Sequence, residues 1–288
     1  MKRLLQYILL LVLVSLTGCA TDPVTGKSAY NIYTLDDDIK IGTQGMAANV
    51  KQMQKQHVRL NADPEKTAQL NGIIRRLGAV THYPNLPYSV TLFHTNIVNA
   101  AAFPGGPMMV FEGLYDRKKG LVRDEDELAA VMGHELAHVN CRHTTRRMSV
   151  VTPVVVIAEI GVAVLEAKDQ QDWAQVLAAG FTVSGALLLP AYSRKDEAQA
   201  DAVGLMYMAK AGYDPRAAPR IWQRAMQQNG NHGDAIGGGF NAFFSDHPSD
   251  KARYEALQKL LPAAMAEYAK VHGGYPADYA PPADAPVR

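Results

Sequence analysis

The chain has 288 residues, 29 Lys and Arg against 28 Asp and Glu, and two cysteines, Cys19 and Cys141. A formal net charge of +1 carries no electrostatic footprint for nucleic acid, and two cysteines cannot make a disulfide-framed scaffold. At this length, with 48% apolar residues, the chain is expected to form one globular domain around a large core.

Lys2 and Arg3 precede an apolar run from Leu4 to Leu16, followed by Leu16-Thr17-Gly18-Cys19. A basic start, a short apolar run and small residues at the end describe a secretory signal, too short for a stable spanning helix. Cys after Gly18 resembles a bacterial lipobox, which implies a signal peptide over 1–18 and a lipidated Cys19 opening a tether over 19–35. Two or more acyl chains supply stable anchoring. Ala20, rather than Asp, in the next position resembles outer-membrane sorting. Removal of Lys2 and Arg3 leaves 27 basic against 28 acidic residues, a net charge of about −1. With Cys19 acylated, Cys141 has no intramolecular partner and is expected to be a buried thiol.

The main domain is expected over 36–272. Helices are expected at Asp36–Leu60 and from Pro64 to Val80. Tyr88–His94, Ile97–Phe103 and Met108–Phe111 are β-rich, with Pro104-Gly105-Gly106 turning between the last two. They form a small sheet, and Asn99, Ala100, Ala101 and Pro104 are its candidate edge. An edge strand accepts a peptide as an added strand, so main-chain bonding gives affinity without strict sequence choice.

The next element carries the chemistry. His134-Glu135-Leu136-Ala137-His138 is an H-E-x-x-H pattern. On a helix, positions i and i+4 share one face, so both imidazoles reach one metal ion while the Glu lies beside its open position as a general base. Asp124–Glu127 supply acids at the helix start, Leu128, Val131, Met132, Leu136 and Val139 recur at helical spacing, and Arg142, Arg146 and Arg147 lie near the end. A catalytic zinc needs a third protein ligand. Cys141 and Thr144 stand where the metzincin pattern needs Gly and His, which excludes that class. A Glu from a second helix is the remaining common solution, and Glu159, Glu166, Glu197, Glu255 and Glu267 are downstream candidates. Glu197 stands out because Asp201 lies four residues on, where it can accept a ring N–H from a metal-bound His. Glu159, an acid inside an apolar run, is its rival.

Residues 150–192 form two apolar limbs around the polar Lys168–Asp172, each too short or too interrupted to span a membrane. They are expected to make a helical hairpin, either buried in the core, the favoured reading because apolar runs of this length are usually core helices, or dipping into the membrane near the anchored N-terminus. Ala217–Gln228 is expected to be helical, Gly230–Gly239 a flexible Gly-rich loop, and a last helix starts near Ser249. The Pro/Ala-rich tail over 273–288 is expected to be disordered.

His134–His138 with Arg142-His143, then Glu197-x-x-x-Asp201, then His247-Pro248-Ser249, resembles the M48 family of zinc metallopeptidases, the HtpX/Ste24-type gluzincins. Asp22-Pro23-Val24-Thr25-Gly26, Asn99-Ala100 before Pro104-Gly105-Gly106, and Gly212-Tyr213-Asp214-Pro215 fit the same pattern, over about 22–260. The lipobox resembles that of the family's periplasmic lipoprotein branch. The resemblance implies an α+β, predominantly helical zincin-like domain with a small sheet before the zinc helix. It implies one Zn²⁺ on His134, His138 and Glu197, with Glu135 as base. The implied substrates are misfolded or misassembled envelope proteins, met by an enzyme anchored in the outer membrane through Cys19. It also sets His247 facing the metal. There His247, or Arg253, would donate to an oxyanion, or the neutral His247 ring would fill the open metal position and hold the resting enzyme latent. The competing class is an envelope assembly factor or chaperone with a structural zinc. An intact Glu135 argues against it, because a structural site is normally a closed four-ligand shell with no use for a base.

Overall fold

The computed structural model describes residues 19–118, 120–151, 192–230 and 251–282. The expected signal peptide, most of the 150–192 hairpin, Glu159, Glu166, the Gly-rich loop and His247 lie outside these residues. Strands β1 (Cys19–Thr21) and β2 (Ser28–Tyr30) form an antiparallel hairpin pairing Cys19 with Tyr30. Between them Asp22 closes a tight turn, its Oδ1 accepting from the Val24 and Thr25 amides.

Helix α1 (Leu35–Lys55) starts at a reciprocal cap, in which the Thr34 hydroxyl accepts from the Asp37 amide and the Asp37 carboxylate from the Thr34 amide. It stops short of the expected Leu60. His57 adopts φ +58°, a left-handed residue that ends the helix, and Leu60 then bridges to Phe93 at the sheet margin. Helix α2 (Pro64–Gly78) begins with Asp63 as cap and Pro64 in the first turn, close to the expected range.

The main sheet comprises β3 (Ser89–Phe93), β4 (Ala100–Ala102) and β5 (Pro107–Phe111) in the order β3-β5-β4. β5 is central and fully buried, parallel to β3 and antiparallel to β4. The strand expected over Ile97–Phe103 is only three residues long. Pairing with β5 is flanked by the Phe111 amide on the Asn99 carbonyl and the Phe103 amide on the Pro107 carbonyl, while the Asn99 side chain accepts from the Ala100 amide at 2.8 Å on the free side. Pro104 is not on the free edge: it is buried in the turn against α1. Gly42 makes that approach possible, because a Cβ there would stand 1.7 Å from the Pro104 carbonyl oxygen.

Helix α3 (Glu125–Asn140) is capped by the Asp124 carboxylate on the Glu127 amide. The helix expected from that spacing is present, and every residue from Glu127 to Asn140 is buried. α3 is the central rod of the domain, covered by α2, β4, α4 (Arg194–Lys210) and α5 (Ala217–Gly230). Arg142 does not act as a dipole-end cation. At φ +55° it leaves the helix and clasps Asp38 of α1, with Nη2 to Oδ1 at 2.9 Å, while also donating to the Tyr33 and Thr34 carbonyls.

Helix α6 (Lys251–His272) closes the domain against α4 and α5. Part of the segment expected to be a disordered tail is described, and there Asp278 pairs with Arg216 at 2.9 Å. No described helix is long and apolar enough to cross a membrane. The architecture is a mostly helical α+β domain with a small sheet, as expected.

Candidate metal centre

Two helices cross at glycines to make the site. A Cβ on Gly204 of α4 would stand 2.8 Å from the His134 backbone, so only glycine lets α4 lie this close to α3. That contact brings Glu197, one and a half to two turns earlier in α4, over the histidine face of α3. Glu197 Oε2 lies 3.4 Å from His134 Nε2 and Oε1 lies 3.4 Å from His138 Nε2, with the two Nε2 atoms 3.1 Å apart. All three side chains are buried, and their donor atoms fall within 4.8 Å of one another. Two imidazole nitrogens and a carboxylate converging in an apolar interior form the donor set suited to zinc.

The surroundings hold these groups in place. His134 Nδ1 meets Asp201 Oδ1 at 3.1 Å, which leaves Nε2 as the nitrogen turned to Glu197. Arg253 forks onto Asp201, with Nε to Oδ2 and Nη2 to Oδ1 both at 2.7 Å, and reaches Glu197 Oε2 with Nη1 at 2.7 Å. Burial would raise the Asp201 pKa, but hydrogen bonds from Arg253 and His134 outweigh it and keep the carboxyl below its ordinary value. Burial likewise opposes protonation of His134, and the Asp201 and Glu197 carboxylates overcome it, raising the ring above its ordinary value. The Arg253 guanidinium lies 3.9 Å over the Trp222 ring, which in turn stands edge-on to His134. On the other side Tyr192 stacks on His138, with centroids 3.8 Å apart and planes 27° apart.

Glu135 points from α3 toward the sheet. Its Oε2 accepts from the Ala102 amide at 3.1 Å. In the register of β4 on β5, Asn99, Ala101 and Phe103 bond inward, so the amides of Ala100 and Ala102 face outward. Asn99 Oδ1 and Glu135 Oε2 occupy those two donors. The acid of the H-E-x-x-H run and the sheet edge are thus one continuous feature.

Of the residues read from sequence, His134, Glu135, His138, Glu197, Asp201 and Arg253 come together, while Asn99, Ala100 and Ala101 lie along the adjoining strand. Arg253, offered as an oxyanion donor, has its guanidinium on two carboxylates. Cys141 ends α3 and is buried outside the three-residue donor group, where burial pushes its thiol up to about 12. Glu255 and Glu267 pair with Lys251 and Lys270 in their own helix. Sequence reading missed Tyr192, Gln199, Gly204 and Trp222. Gly204 alone carried a signal, since glycine inside a helical pattern usually has a packing reason.

A buried H-E-x-x-H helix with a third candidate metal donor on a crossing helix, beside a small sheet, is the arrangement of a zincin-like metallopeptidase domain of the gluzincin type. The profile of peptidase family M48 matches residues 64–261, and the chain belongs to that family. It is 35% identical over 199 residues to the mitochondrial metalloendopeptidase OMA1 of Schizosaccharomyces pombe, covering 69% of this chain and 54% of that one. It is 28% identical over 211 residues to the beta-barrel assembly-enhancing protease of Yersinia pestis, covering 72% and 41%. Its Escherichia coli K12 counterpart is 26% identical over 212 residues, with the same coverage of 72% and 41%. The chain therefore spans about half or less of the length of these relatives.

Proposed function

We propose that the protein is a zinc-dependent endopeptidase of the bacterial cell envelope, with His134, His138 and Glu197 as ligands and Glu135 as general base. The observation that carries this reading is the convergence of the three buried ligand atoms within 4.8 Å beside a carboxylate that reaches the outer edge of a strand. Zinc in that donor set supplies acidification of a water and polarisation of a peptide carbonyl. Glu135 takes the proton from the attacking water and later gives it to the leaving amine. Asp201 keeps His134 in one tautomer and ring angle. Arg253 neutralises part of the negative charge of Glu197 and Asp201, so that two carboxylates can share a dry site.

The outward edge at Ala100–Ala102 suits an extended peptide laid down as an added strand. Such a strand needs the Ala102 amide, so its arrival frees Glu135 for proton transfer. Recognition through main-chain bonds fits unfolded or misassembled polypeptides better than one fixed sequence. The relatives named for beta-barrel assembly support substrates of that kind in the envelope. Lipidation at Cys19 and outer-membrane location belong to this proposal and rest on the lipobox-like Leu16-Thr17-Gly18-Cys19. His247 is proposed as the latch on the open metal position, on the M48-like His247-Pro248-Ser249.

The deciding experiment is digestion of casein by the zinc-loaded chain and by Glu135→Gln. Equal activity in the two proteins, or none in either, rejects the peptidase reading.

A further inference from the structure

His143 lies just beyond the zinc helix, is 1% exposed, and is not a member of the donor group. Its Nδ1 stands 2.9 Å from His138 Nδ1. Two ring nitrogens at that distance make a hydrogen bond only if one carries the proton. His138 turns its Nε2 toward Glu197 and His134, so on the metal-site reading above that nitrogen is the ligand and Nδ1 holds the hydrogen. His143 Nδ1 is therefore the acceptor, and His143 carries its own proton on Nε2. That nitrogen meets Gln199 Oε1 at 3.2 Å, with Asp196 Oδ1 at 3.6 Å. The Gln199 amide nitrogen then donates to Asp22 Oδ2 at 3.2 Å.

Every bond in this series has the same polarity, from His138 through His143 and Gln199 to Asp22. It crosses three separate segments: the residues after α3, helix α4, and the turn between β1 and β2. Asp22 is 7% exposed, and its other carboxylate oxygen holds its own turn through the Val24 and Thr25 amides. The acceptor at the end of the series is thus fixed by local backbone. Arg146, at 3.7 Å from Oδ2, adds charge that favours the ionised carboxylate.

We infer that His143 is a positioning residue for the metal centre, accepting the Nδ1 proton of His138 and held in turn by Gln199 and by Asp22 of the N-terminal turn. The inference rests on the zinc-site reading and adds to it that the ring angle and tautomer of one ligand are set by a segment more than a hundred residues earlier in the chain. Asp201 does the equivalent for His134 at 3.1 Å, so each ligand imidazole has its own fixed acceptor.

The test uses the full chain and reads zinc affinity by competition with a chromophoric chelator, together with the visible absorption of the Co²⁺-loaded protein. His143→Leu, which removes the acceptor, should weaken zinc binding about 10–100-fold, the usual cost of losing a ligand's hydrogen-bond partner, and alter the Co²⁺ bands. His143→Asn sets an oxygen near the Nδ1 position and should recover most of the affinity. Gln199→Leu leaves the Asp22 turn intact and should lower affinity in the same direction by less. Combined with His143→Leu it should add nothing, because both cut one series. Wild-type affinity and spectrum in His143→Leu, or equal losses in the Asn and Leu variants, would overturn the proposal while zinc binding by the wild type stands. Additive losses in the double variant would overturn the link to Asp22. A wild-type chain that binds no zinc would overturn the site reading and this inference with it.

Discussion

Arg253 of α6 and Asp201 of α4, 52 residues apart in sequence, meet in a buried two-pronged ion pair with both N···O distances at 2.7 Å. The same guanidinium reaches Glu197. One cation therefore binds the last helix to the carboxylate expected to ligate zinc and to the carboxylate that orients His134. Arg253→Ala would leave two buried acids facing each other. The expected loss is about 3–5 kcal/mol of unfolding free energy, the usual cost of breaking a buried pair. Urea unfolding of the metal-free protein measures it, and Arg253→Lys should restore only part, since an ammonium cannot fork.

Glu135→Gln should keep the fold and bound zinc but lose at least about two orders of magnitude in peptide hydrolysis. Zinc content by atomic absorption and a single-turnover peptide assay separate the two quantities. Loss of metal in the variant would assign Glu135 a structural role instead.

Glu197→Ala should lose both metal and activity, because two imidazoles alone form a poor zinc site. Asp201→Ala should retain metal with about 10–100-fold weaker affinity. Equilibrium dialysis at controlled free zinc distinguishes them. Zinc binding unchanged in Glu197→Ala would return the third-ligand role to Glu159.

Glu127 gives the domain a defined acid response. It is 1% exposed, and Arg224 of α5 binds both its oxygens, at 2.8 and 3.0 Å, with Arg220 at 3.2 Å. Burial acts to raise its pKa, but Arg224, the Arg123 amide and Arg220 together bring it below the ordinary value. A depressed folded-state pKa contributes stability above the unfolded value of about 4.3, and that stability is lost as pH falls through the folded value. Wild-type unfolding free energy should therefore drop on acidification below about pH 4.3, and Glu127→Gln should show a lower plateau with a shallower drop. Parallel slopes in the two proteins would show that other carboxylates govern acid unfolding.

Cys19→Ala should abolish acylation and release the protein from outer membranes, as read by metabolic labelling with palmitate and by fractionation. An Ala variant that still sediments with outer membranes would mean that another segment binds the bilayer.

The chain's own sequence determined what local rules govern. The i, i+4 spacing of His134 and His138 follows from helix geometry, and the caps at Asp63 and Asp124 bond amides within the same turn. Strands around Tyr88–Phe111 were legible from β-rich runs and a Pro-Gly-Gly turn. The tertiary structure alone decided the rest, because those choices depend on which distant surfaces meet. Glu197 faces the histidines because Gly204 admits α4 against α3. Glu127, legible as one more acid at a helix start, is a buried ion-pair partner because α5 lies over it. Glu135 shares an amide with the sheet edge, and His138 rests on His143, only because α3 runs through the core with neighbours on every side. Periodicity reports the face a helix shows to its nearest layer; it cannot report that every face is covered.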